Sequence, residues 1–136
     1  MKHSLTYIGI LALCASSLMS QAQSFQNLTD ITPSSDFENV EVKKLNEDDL
    51  ASTFVIWVKT SVKAHYHATH TEVVHVLEGT GLMTLGNEER KIGPGDYVFI
   101  PKGTPHSVQV IGSTPMKVLS MQTPRFDGTD RVFVDQ

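Results

Sequence analysis

His65 and His67 stand two apart in the stretch His65–Gly79, HYHATHTEVVHVLEG. Side chains two apart on a strand share one face, so both imidazoles can reach a single point. Glu72 follows five residues after His67, and His106 stands behind the Pro/Gly turn of PKGTPH. A fold that joins the two segments would offer three ring nitrogens and one carboxylate oxygen, a donor set suited to a first-row transition ion. Four such donors leave two positions of a six-coordinate ion for water, dioxygen or a chelating substrate.

The elements that must position these residues read as strands. Phe54–Val58, Glu72–Leu77, Gly81–Leu85, Arg90–Ile92, Tyr97–Ile100, Ser107–Ile111 and Met116–Gln122 are apolar or alternating runs. They are separated by punctuation such as Gly86-Asn87 and Gly93-Pro94-Gly95-Asp96. Regular spacing of short strands broken by Gly and Pro predicts an antiparallel sandwich or barrel. No helical stretch of useful length and no internal repeat competes with it.

The two histidine segments resemble the paired motifs of the cupins. His65-x-His67, four residues, Glu72, six residues and Gly79 match the first motif. Gly95, five residues, Pro101-x-Gly103, two residues and His106 match the second. Lys59 stands where the family usually has glycine and Val110 where it usually has asparagine, and neither departure touches a ligand position. The resemblance implies an all-β fold, an antiparallel double-sheet jelly-roll barrel. It also implies one divalent ion (Fe, Mn, Ni, Cu or Zn) held by His65, His67, Glu72 and His106.

Alternation supports the same inward faces. If Glu72 points inward, so do Val74 and Val76, whereas Val73, His75 and Leu77 face away; from His106, Val108 and Val110 point inward. His75 then has a packing role, and Tyr66 faces away from the ion. Glu72 has a second reading, as an outer partner of a histidine's other nitrogen. Two residues are candidate catalytic groups. His70 lies in a turn at the barrel mouth, as a rim residue or proton shuttle or simply as surface; Lys59 either meets an anionic substrate or is a solvated strand-end lysine. Trp57, Tyr97 and Phe99 are expected in the core, with one of them, which parity does not single out, as an alternative lining of the pocket.

At the front, Lys2 and His3 precede an apolar run, Tyr7–Cys14, and then small and polar residues ending Ser20-Gln21-Ala22. This order predicts a signal peptide over residues 1–22 and an exported protein, periplasmic or secreted. Leu13 before Cys14 speaks against a lipid anchor there. The expected organisation is then a polar N-terminal extension over 23–50, with a short edge strand at Val40 and Val42, and the barrel with a C-terminal arm over 51–136. The sequon Asn27-Leu28-Thr29 reads as plain surface loop. Cleavage would remove the single Cys and one of 11 basic residues but none of 15 acidic ones, leaving a formal charge of −5. That balance, with no basic cluster, argues against nucleic-acid or anionic-membrane binding.

Two reaction classes fit the expected centre. A redox ion would bring substrate and dioxygen together, making a dioxygenase-like oxidoreductase; a Lewis acid would polarise a carbonyl, making an isomerase or lyase. Arg90, Arg125 and Arg131 all lie outside the motifs, so no guanidinium clamps a phosphate there, which disfavours sugar-phosphate chemistry. The expectation is a metalloenzyme for a small oxygen-rich molecule. The alternatives are a non-catalytic module binding a sugar, uronate or metal, and a barrel stapled by its metal. Pairing of exposed strand edges would favour a homodimer.

Overall fold

The computed structural model describes residues 24–134, so the expected signal segment with Cys14 lies outside the described residues. After a short 3-10 turn at Leu28–Asp30 come ten strands: β1 (Val40–Glu47), β2 (Ser52–Val58), β3 (Ser61–Tyr66), β4 (Thr71–Glu78) and β5 (Gly81–Leu85) in the first half. The second half supplies β6 (Glu88–Ile92), β7 (Tyr97–Ile100), β8 (His106–Val110), β9 (Met116–Thr123) and β10 (Val132–Phe133). They form two five-stranded sheets, ordered β1-β2-β9-β4-β7 and β10-β3-β8-β5-β6, and every pairing is antiparallel. The expected double-sheet jelly roll is therefore present, as two facing sheets rather than a closed hydrogen-bonded cylinder.

Turn chemistry sets this register. Gly86, at φ 58°, occupies a two-residue hairpin loop between β5 and β6, a conformation that glycine adopts without steric cost. Gly79 is fixed by space as well, because a Cβ there would stand 2.6 Å from the Pro115 carbonyl oxygen. Val58, Val76, Met83, Ile92, Ile100, Met116 and Val118 form the buried cluster between the sheets. Truncating Met116, which is 1% exposed, should cost about 2–5 kcal/mol.

Val74, Val108 and Val110 pack against that cluster, as their alternation predicts. Two aromatic assignments fail. Tyr97 is 64% and Phe99 51% exposed, because Val98 and Ile100 take the inward positions of the edge strand β7. Trp57 is buried, on the outer side of β2, where the N-terminal extension covers it. There Lys117, itself buried, lies over the indole and donates to the Leu28 carbonyl at 2.7 Å. Asn39 fastens the same extension to the β2–β3 turn: its Oδ1 accepts from Thr60 and Ser61, and its Nδ2 donates to the Ser61 carbonyl at 2.9 Å.

Candidate metal centre

Three strands and one loop build the site. His65 and His106 are direct cross-strand partners in β3 and β8, and His67 follows just after β3. Glu72 enters from β4 in the opposite sheet. A bulge makes the β3 contribution possible. The pairing shifts between Val62 and His65, so one extra residue reverses the parity of the strand. Val62 and His65, three apart, consequently both face the interior. The two motifs are tied directly, since the Gly103 amide donates to the His67 carbonyl at 2.6 Å.

The donor atoms of His65, His67 and His106 lie within 4.8 Å of one another, and all three rings are buried. Each Nδ1 faces a backbone carbonyl: Lys63 O at 2.8 Å from His65, Thr104 O at 3.0 Å from His106, and Asp130 O in a short contact with His67. Carbonyls only accept, so each Nδ1 carries the proton, and Nε2 presents a lone pair when the ring is neutral. Among the described residues, Nε2 of His67 and of His106 are buried without a hydrogen-bond partner. They lie 3.3 and 3.4 Å from Glu72 Oε2, without hydrogen-bond alignment.

Acceptor therefore faces acceptor, an arrangement that needs a proton or a cation between the atoms. Three imidazole nitrogens within 4.8 Å of one another, with the Glu72 carboxylate beside two of them, suit a transition ion in that place, so the residues fit a metal.

Electrostatics without the ion agree. Burial, reinforced by the charges of His106, Arg131 and His67, pushes His65 down to about 4, which keeps it a neutral donor. Burial also opposes charge on His67, but the Glu72 carboxylate and the Asp130 carbonyl outweigh it and raise its pKa. For Glu72, burial acts upward, yet the rings of His106 and His67 and the Ser120 hydroxyl hold it well below the carboxylate range. Ser120 donates to Glu72 Oε1 at 2.5 Å, so Oε2 is left directed at the histidines.

The remaining candidates go elsewhere. His70 is buried rather than at the rim, its Nδ1 2.5 Å from Asp130 Oδ2 and its Nε2 2.9 Å from the Arg125 carbonyl. It anchors the C-terminal arm. Lys59 does not line the cavity; its Nζ donates to the Phe37 carbonyl and lies 4.1 Å from that ring's centroid. His75 and Tyr66 lie outside the histidine cluster, as their parity requires.

The arm supplies what motif reading missed. Asp130 accepts from the amides of Ala68, Thr69 and His70, while its own carbonyl meets His67. Phe126 sets its ring edge-on to His67, His70 and Phe54. Arg131 and Phe133 reach the cavity itself, Phe133 pairing with His65. The only sequence signal for them was the expected C-terminal arm.

A cavity of about 410 Å³ lies against His65, Glu72 and His106. Its walls include Val40, Val42, Ile56, Val74, Val108 and Met116. Such walls reward hydrocarbon by about 0.8 kcal/mol per buried CH₂ and penalise each unpaired buried hydroxyl by about 1–3 kcal/mol.

Comparison with known proteins accords with this construction. A family model described as a cupin domain matches residues 52–122. An uncharacterized protein of Aquifex aeolicus is 40% identical over 98 residues, covering 72% of this chain and 80% of its own. Quercetin 2,3-dioxygenase of Bacillus subtilis is 39% identical over 46 residues, which cover 34% of this chain and 14% of that enzyme. A crystal structure from Klebsiella pneumoniae, of an uncharacterized conserved protein with a double-stranded beta-helix domain, aligns with TM-score 0.68 at 17% identity. It covers 85% of this chain and all (100%) of that one. With paired motifs on facing sheets and a family match over more than half its length, the chain belongs to the cupin family.

Proposed function

We propose that this cupin is an exported metal-dependent enzyme. His65, His67 and His106 would hold one divalent transition ion through Nε2, with Glu72 as the fourth ligand. The observation that carries the reading is the pair of buried, unpartnered Nε2 atoms facing Glu72 Oε2. Their Nδ1–H groups are already committed to carbonyls, so the rings are preorganised as donors.

A bound ion of this kind supplies either redox chemistry with dioxygen or Lewis-acid polarisation of a carbonyl. The chain's own residues do the rest. Ser120 and Gln122 steady the Glu72 carboxylate, the aliphatic walls exclude water, and His65, Glu72 and His106 border the cavity that admits substrate. The dioxygenase form is favoured by the local similarity to quercetin 2,3-dioxygenase, although the shared segment is a small part of that enzyme. The tail pairs with β3 at Val132 and Phe133, and Arg131 and Phe133 line the cavity of their own chain.

The test is anaerobic purification followed by metal analysis and water-exchange measurement on the loaded protein. One equivalent of ion with exchangeable coordinated water is expected. A closed site with no exchangeable position would overturn the enzyme reading.

A further inference from the structure

The geometry points to a monocarboxylate with a hydrocarbon body as the ligand of this cavity, its carboxylate recognised by Arg131 and Lys63 at the rim. The inference rests on the cavity being the substrate site of the proposed enzyme, and it replaces the small oxygen-rich molecule expected from the sequence and sets aside the sugar or uronate of the non-catalytic alternative. Three observations carry it.

The first is the wall chemistry. Away from the histidines the lining is mainly aliphatic; of its uncharged polar side chains among the described residues only the Ser61 and Ser107 hydroxyls are free to pair with a ligand, because Asn39 is already engaged with Thr60 and Ser61. Glu72 is engaged with Ser120, Gln122 and the histidine rings. A polyhydroxylated body would bury hydroxyls against valine and methionine without partners, whereas a hydrocarbon body fits them.

The second is charge. Arg131 and Lys63 both line the cavity, and neither forms an ion pair among the described residues. A guanidinium and an ammonium at the rim of an apolar cavity complement an anionic head, and a guanidinium suits a carboxylate's two oxygens. The third is the rim itself. Arg131 and Phe133, two apart on the extended arm, both face the cavity. Phe133 lies with its ring centroid 6.2 Å from that of His65. Val40, Val42 and Phe133 line the cavity while 41%, 47% and 59% exposed, so the rim presents apolar surface beside its two cations. An amphiphilic anion satisfies both.

Calorimetric titration of the metal-stripped and the metal-loaded protein with octanoate, 1-octanol and glucuronate tests this. Octanoate should bind both forms at least tenfold more tightly than either other probe. Arg131→Gln, an exposed position, should weaken octanoate about tenfold with 1-octanol binding and melting temperature unchanged; Val42→Asp should weaken both octanoate and 1-octanol. Glucuronate binding as tightly as octanoate, or octanoate binding indifferent to Arg131→Gln, would overturn the proposal. Failure of the metal reading is distinguishable, since a protein that takes up no ion yet binds octanoate with these dependences keeps the pocket assignment. A protein that loads its ion and ignores octanoate loses only the pocket assignment.

Discussion

His65 and His106 are held by their own strands, whereas His67 is held from the far end of the chain. The carbonyls that fix His65 and His106 belong to Lys63 and Thr104, two residues before each ring. The carbonyl that fixes His67 belongs to Asp130, separated by 63 residues. One part of the centre is thus as stable as the β3–β8 pairing that carries it. The other depends on an arm fastened mainly by Asp130, His70 and Phe126. The donor geometry of His67 can therefore be loosened without touching a ligand.

The largest effect should come from the strand-held part. His106→Ala removes a donor outright and should lower metal affinity by more than the roughly 10–100-fold typical of losing an outer partner. The melting temperature of the metal-loaded protein should fall toward that of the metal-free form, because binding energy is also folding energy. Full metal content in that variant, measured by mass spectrometry of the purified protein, would remove His106 from the ligand set.

Next comes the arm. Asp130→Ala strips acceptors from three loop amides and His70, and should cost about 1–3 kcal/mol in the metal-free protein. Metal affinity should weaken roughly tenfold, the low end for an outer partner, with Asp130→Asn recovering part of the loss. The chemical shift of His67 Nδ1 separates repositioning from general destabilisation: it should move in Asp130→Ala, while those of His65 and His106 stay put.

The arm also has a defined pH window. Burial acts to raise Asp130, but the His70 ring and the amide and hydroxyl donors of residues 68 and 69 outweigh it and hold it well below the carboxylate range. A carboxylate depressed in the folded state contributes stability fully above its unfolded value of about 3.9 and loses it as pH falls toward the folded value. The melting-temperature gap between wild type and Asp130→Asn, both metal-free, should persist from pH 7 to about pH 5 and close progressively below about pH 4. A gap that closes at neutral pH would contradict the assignment. The smallest effect should be at Lys59, where replacement by Ala loses only an exposed contact with Phe37 and should cost about 1 kcal/mol or less while leaving metal affinity unaltered.

The same contrast governs what the sequence revealed. His65, His67, Glu72 and His106 were legible because each sits in a short segment whose glycines and alternation fix its own geometry, as at Gly79 and Gly103. The bulge between Val62 and His65 was not, since nothing in Val62-Lys63-Ala64 breaks a strand pattern and only pairing with β8 shows the extra residue. Asp130, Arg131 and Phe133 were not legible either, because their roles depend on where the arm returns. Tyr97 and Phe99 read as core by hydrophobicity, but an edge strand has one buried face, and Val98 and Ile100 occupy it.

The central claim is that His65, His67 and His106 converge through Nε2 while Nδ1 is committed to carbonyls. Titration of the metal-stripped protein with Zn²⁺, followed by long-range proton–nitrogen NMR of the histidine rings, tests it most directly. One equivalent should shift Nε2 of those three residues and leave the nitrogens of His70 and His75 unchanged. Coordination through Nδ1, a primary response at His70, or no saturable response would contradict the account.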